Sequence, residues 1–139
     1  MGKVIRFRKY PLRYDVLKIQ RAAYAKLDTL WGIWAAMIFS EETAASFAEI
    51  SHLEWKDVDL TKGMVCIGKG RNRRTIPLTS DGRLSLSLAW ENRTGAHVFP
   101  SDLRKQFAQA KKEANLCYLT LTTVHAHYKQ RLIQKMLNR

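Results

Sequence analysis

Residues 48–79 read AEISHLEWKDVDLTKGMVCIGKGRNRRTIPLT, and the spacing of the apolar residues changes partway through. Ala44, Phe47, Ile50 and Leu53 share one helical face, whereas Trp55, Val58 and Leu60, followed by Met64 to Ile67, have the spacing of strands. Thr61-Lys62-Gly63 and Gly68 to Asn72 carry turn chemistry. Arg74, Ile76 and Leu78 form a returning strand, which Pro77 assigns to a sheet edge. A helix therefore gives way to a small antiparallel sheet of two or three strands. Between the last two strands the chain concentrates Lys69, Arg71, Arg73 and Arg74. Gly and Asn satisfy the backbone angles of a turn without any cation, so this charge points toward something negative. Divided between two strands and a turn, Lys69, Arg71 and Arg73 do not all face one way, which leaves part of the cluster for phosphate and gives Arg74 a structural pairing role.

Working outward, the remaining segments are mostly helical. Residues Met1 to Pro11 form a basic arm, with residues 12–139 as one domain. Val16, Leu17, Ile19, Ala22, Ala23 and Leu27 mark a surface helix over Leu12 to Leu27. LWGIWAAMIF, Leu30 to Phe39, is apolar on every side and belongs to a central helix from about Thr29 to Phe39. Ser40 with Glu41, Glu42 and Thr43 has the look of a helix start, with acids at the positive end of the dipole, so the next helix is expected from Glu41 to His52. Downstream, Ser80 to Trp90 is helical and Gly95 to Pro100 is a loop. Asp102 to Ala114 is a basic amphipathic helix with Leu103, Phe107, Ala110 and Ala114 inward, and Leu119 to Arg139 becomes a last helix. The fold class expected is α+β, mainly α.

Charge sets the partner. Lys and Arg number 24 against 12 Asp and Glu, a formal net charge of +12 that favours a polyanion over other partner classes. The cations thicken at Lys3 to Arg13, Lys69 to Arg74, Arg104 to Lys112 and Lys129 to Arg139. On the basic helix, Arg104 and Lys105 lie seven residues before Lys111 and Lys112, so both pairs share a face and extend the hairpin's charge into a phosphate-tracking surface. The expected DNA-binding set is Lys69, Arg71, Arg73, Arg74, Arg104, Lys105, Lys111 and Lys112.

Other chemistries find little support. The two cysteines, Cys66 and Cys117, lack metal-ligand spacing and fit a reduced cytoplasmic protein. His125 and His127 are two residues apart and point in nearly opposite directions on a helix, so no metal and no cofactor is expected. Glu41 and Glu42 need no catalytic role, and Tyr118 and Tyr128 are read as packing or capping ordinary surface. Leu30 to Phe39 is too short for a bilayer span, and no membrane partner is expected.

The order of these words resembles the central part of the catalytic domain of the tyrosine recombinases, the phage integrase family. The resemblance rests on Glu49-Ile50, Trp55, Asp57 and Asp59, Gly68-Lys69-Gly70, Arg74-Thr75-Ile76-Pro77-Leu78, Val98-Phe99-Pro100 and Leu119-Thr120, and covers roughly Leu30 to Tyr128. It implies that fold, with a small sheet among helices, and DNA as partner. In that family a Tyr hydroxyl attacks a DNA phosphodiester while two Arg stabilise the charge on phosphate and a hairpin Lys protonates the leaving oxygen.

Carried over by position, the hairpin Lys is Lys69, the first Arg falls on Ser46, and the His-x-x-Arg box falls on Thr122 and His125. Neither Ser nor a neutral His replaces a guanidinium clamp on phosphate. The family continues for several tens of residues to its Tyr, so the resemblance also implies a truncated, degenerate relative. The expectation is a non-catalytic DNA-binding protein, a transcriptional regulator or an accessory factor of a mobile element. Two alternatives stay open. One is a split recombinase taking its Tyr from another chain. The other is an interaction module whose last helix, with Leu132, Ile133, Met136 and Leu137, docks on itself or on a full-length integrase.

Overall fold

The structure, a computed structural model, describes residues 11–138. Among these residues six helices and three short strands follow one another in the order α1 (Pro11–Tyr24), α2 (Leu27–Thr43), α3 (Phe47–His52), β1 (Val58–Asp59), β2 (Met64–Ile67), β3 (Arg74–Pro77), α4 (Ser80–Glu91), α5 (Leu103–Ala114) and α6 (Leu121–Leu137). The mainly helical α+β architecture expected from the sequence is the one found. The basic arm lies outside the described residues except for Pro11, which opens α1, where the missing N–H costs nothing.

The apolar α2 is the centre of the molecule, packing against α1, α4, α5 and α6. Ile33, Ala35, Ala36, Met37 and Phe39 are fully buried in it. Near its start Leu30 departs from helical angles (φ −115°, ψ 19°), and just beyond this kink the Ile33 N–H donates to the buried Gln106 Oε1 at 2.9 Å. Gly32 is required there by space: a Cβ would lie 2.4 Å from the Pro100 ring.

One expectation is corrected. The helix predicted over Glu41 to His52 is two elements, because Glu41, Glu42 and Thr43 end α2 rather than begin α3. Ala44 adopts the left-handed conformation (φ 63°) and its N–H donates to the Ser40 carbonyl, closing α2. Ser40 does not cap a helix; its buried Oγ donates to the Ala45 carbonyl at 2.7 Å. The cap of α3 is Ser46. Its Oγ accepts the Glu49 N–H at 3.1 Å while Glu49 Oε1 accepts the Ser46 N–H at 3.0 Å, a complete capping box.

The sheet order is β1-β2-β3, antiparallel throughout, with Met64 opposite Pro77 and Ile67 opposite Arg74. β3 is an edge strand, where Pro77 removes no interior ladder bond. Val65 and Ile67 point into the core, and Met64 and Cys66 alternate to the half-exposed face.

Behind the sheet, α6 closes the core. Tyr128 is completely buried rather than at the surface, with its Oη accepting from Gln20 Nε2 at 2.6 Å. Gln20 also donates to Glu41, whose carboxylate sits 2.9 Å from Arg13 and 3.5 Å from Arg131, so one acid joins α1, α2 and α6. Tyr118 Oη donates to Asp15 of α1. Further along α6 the packing runs out, and Ile133, Met136 and Leu137 are exposed.

Candidate nucleic-acid interface

Between β2 and β3, residues 68–73 turn through a single 3-10 turn, Gly70–Asn72. Gly68 (φ 85°) makes this possible, since a Cβ there would lie 2.5 Å from the Asn72 carbonyl. The turn carries the four hairpin cations, and the structure divides them. Lys69 and Arg71 are exposed and make no side-chain hydrogen bond or ion pair among the described residues. Arg73 reaches the Gly68 carbonyl at 3.4 Å and Asp57 at 3.6 Å. Arg74 folds back onto α3. Its Nη1 donates to Glu49 Oε2 at 2.9 Å and its Nη2 to Glu49 Oε1 at 3.0 Å, while Nη1 also reaches the Asn72 carbonyl at 2.8 Å. This two-pronged pair holds the Glu49 carboxyl below the usual carboxylate range, and the pairing role expected for Arg74 is the geometry found.

The basic helix divides likewise. Arg104, Lys105 and Lys112 on α5 are exposed and carry no ion pair or side-chain hydrogen bond among the described residues. Lys111 is half-buried; its ammonium lies over the Phe107 ring and donates to the Leu119 carbonyl at 2.8 Å. Its tie to the segment before α6 explains its charge without a ligand, although the sequence placed it with the others.

Between α3, the start of α5 and the start of α6 lies a cleft of about 420 Å³. The positions singled out by resemblance converge on it: Ser46 before α3, Thr122 and His125 on α6, with Arg104 of α5 at its edge. A second groove of about 520 Å³, lined by Lys69, Asn72 and Arg73 on one side and Glu49 and His52 on the other, adjoins it at Ala48. Residues 76 positions apart (Ser46 to Thr122) thus share one concavity.

Arg104 is the one formal charge lining this cleft among the described residues. Ser46 spends its hydroxyl on the α3 cap. His125 Nε2 lies 2.9 Å from the Ala44 carbonyl, where the Nε2–H tautomer donates, so this ring fastens α6 to the left-handed turn rather than facing an anion. Thr122 is exposed on the first turn of α6, whose cap is Thr120 accepting from the Thr123 N–H at 3.1 Å. Two residues beyond His125, His127 faces the α1–α6 junction with its Nε2 buried and without a partner among the described residues; burial there and the nearby Arg13 and Arg131 push its pKa down. Among the described residues no three His, Cys, Asp or Glu side chains gather as a metal site. No described helix is long and apolar enough to cross a membrane. Glu49 is the site residue that sequence reasoning passed over as chemistry, although Ser46-x-x-Glu49 is a readable capping signature.

No protein-family model matches the sequence, and no curated protein matches it. Solved structures do. The chain superposes on a crystal structure of XerA recombinase with a TM-score of 0.69 at 14% identity, over 96% of this chain and 52% of that one. It superposes on lambda integrase bound to DNA with a TM-score of 0.66 at 17% identity, over 92% of this chain and 51% of that one. A lambda integrase dimer bound to a COC′ core site gives 0.64 at 20% identity, over 91% and 52%. The chain therefore spans about half the length of these structures. Helices around a three-stranded antiparallel sheet, superposing over nearly the whole chain, give this protein the fold of the tyrosine recombinase catalytic domain.

Proposed function

We propose that this protein binds double-stranded DNA without cleaving it, as a cytoplasmic transcriptional regulator or an accessory factor of a mobile genetic element. The observation that carries this reading is the contrast between exposed cations and a cleft without the reacting guanidiniums. Lys69, Arg71, Arg104, Lys105 and Lys112 are uncommitted cations among the described residues, while Ser46, Thr122 and His125 bring neither of the two guanidiniums that phosphoryl transfer requires to the cleft they share with Arg104. Removal of one such group costs on the order of 10² to 10³ in rate, and two positions are changed here. The free cations suit backbone contacts that position a duplex rather than read its sequence.

The test is fluorescence anisotropy with a labelled duplex across a salt series, paired with a nicked suicide substrate. Expected are binding that weakens steeply with salt and no covalent adduct. No binding at low salt would sink the reading, and a covalent protein–DNA adduct lost in Lys69→Ala would replace it with a split recombinase. A second reading has its own observation: Ile133, Met136 and Leu137, 45%, 63% and 73% exposed, give the end of α6 an apolar face suited to a second copy or to an integrase. Sedimentation at high concentration tests the first of these, with a monomer counting against it.

A further inference from the structure

The carboxylate of Glu49 stands beside the groove lined by Lys69 and Arg73, on the face read above as meeting DNA. By Coulomb's law alone an acid at that place opposes a polyanion, and removing it tightens binding. Its contacts argue the reverse. Glu49 Oε1 accepts from the Ser46 N–H at 3.0 Å and from Arg74 Nη2 at 3.0 Å, and Oε2 accepts from Arg74 Nη1 at 2.9 Å. Arg74 Nη1 then donates to the Asn72 carbonyl at 2.8 Å, inside the turn that displays Lys69 and Arg71.

A continuous polar link therefore runs from the N-terminus of α3, at the edge of the cleft, to the hairpin turn. A second ion pair from this turn to the body, Arg73 to Asp57, is longer at 3.6 Å. Both oxygens of Glu49 and both terminal nitrogens of Arg74 are occupied, a fork geometry that fixes direction as well as distance. Where two exposed cations must meet successive phosphates together with Arg104 on another element, the orientation of the turn decides how many engage at once.

We propose that Glu49 is a positioning residue for DNA binding: through Arg74 it sets the hairpin turn so that Lys69 and Arg71 meet the same duplex as Arg104. Arg74 serves as the arm of this clamp and not as a phosphate contact. The proposal rests on the DNA-binding reading above.

The test compares Glu49→Gln, Glu49→Ala and Arg74→Lys with the unaltered protein, using duplex anisotropy across salt and hydrogen exchange of amides 68–73. Glu49→Gln retains an oxygen for the Ser46 N–H and so guards against loss of the α3 cap. All three variants are expected to bind on the order of tenfold more weakly with a salt slope lower by about 1 to 2, because displaced cations release fewer counterions. Exchange in 68–73 rises in all three, while Glu49→Gln and Arg74→Lys retain the melting of the rest of the chain and Glu49→Ala melts lower for want of its contact to the α3 cap. Glu49→Gln binding as tightly as the unaltered protein or more tightly, with the slope unchanged, overturns the proposal. So does Arg74→Lys at full affinity, since a Lys supplies a phosphate contact but not the fork. If the unaltered protein binds no duplex, it is the DNA-binding reading that has failed.

Discussion

At the hairpin tip, Lys69 and Arg71 stand exposed on a turn whose shape depends on local glycines, and their charges meet no partner among the described residues. In the adjoining cleft two polar groups are engaged within the fold: Ser46 in a helix cap, His125 on the Ala44 carbonyl. Both regions lie on one face, joined at Ala48, yet one presents charge and the other consumes hydrogen bonding. A surface that steers and holds a polyanion needs exposed cations spread along successive phosphates, whereas a site that stabilises a reacting phosphate needs guanidiniums aimed at one point. Among the described residues the exposed cations of the tip suit the first, and Ser46, Thr122 and His125 bring no guanidinium to the second. The difference teaches that exposed charge can be supplied by one short stretch of chain, whereas the cleft beside it is assembled from groups brought together from distant segments.

The most forceful way to break this contrast is to remove charge from the tip. Taking away one cation that neutralises a phosphate costs on the order of tenfold in affinity at about 0.1 M salt and lowers the salt slope by about 0.9. Lys69→Ala with Arg71→Ala is thus expected to weaken duplex binding roughly 100-fold and reduce the slope by about 2, read by anisotropy. Unchanged affinity would show that the tip does not touch DNA.

A smaller effect is expected in the cleft. Ser46→Ala removes the cap hydroxyl of α3 and should cost about 1 kcal/mol of stability in a denaturant melt. Its effect on DNA affinity should be slight, since the Glu49 bond to the residue-46 N–H remains. A large loss of binding with little change in stability would mean that this hydroxyl meets the ligand.

The smallest effect belongs behind the cleft. Burial and the cations Arg13 and Arg131, opposed in part by Glu41, hold the folded pKa of His127 below its ordinary 6.5. The folded state keeps the ring neutral while the unfolded chain takes up the proton, so the contribution is intact above the ordinary value and is lost as pH falls through the folded one. Melting temperature should decline on acidification below about pH 6.5, and less so in His127→Gln. An identical pH profile in the variant would assign the decline elsewhere.

Much of the fold was legible before any coordinates. The change from helical to alternating period after Leu53, the glycines at 63, 68 and 70, and Pro77 located the hairpin and its edge strand, because these features act within a few residues. The break at Ala44 was not legible. Ser40-Glu-Glu-Thr has the composition of a helix start, and an alanine in the left-handed region, rarely adopted without glycine, is held by Ser40 and His125 from outside the turn. Nor did composition separate Lys111 from Lys112, adjacent lysines of which one ties down the Leu119 carbonyl and the other is exposed.

The sequence by itself determined the hairpin, most of the helices and where the positive charge sits, since period, turn chemistry and side-chain charge are local properties. Only the tertiary structure decided that Ser46, Thr122 and His125 share a cleft, and which cations stay free beside it. The physical reason is the range of the deciding partners. Arg74 is neutralised by a carboxylate 25 residues away and His125 is engaged by a carbonyl 81 residues away, and no local pattern encodes contacts that exist only once α3, the hairpin and α6 are packed together.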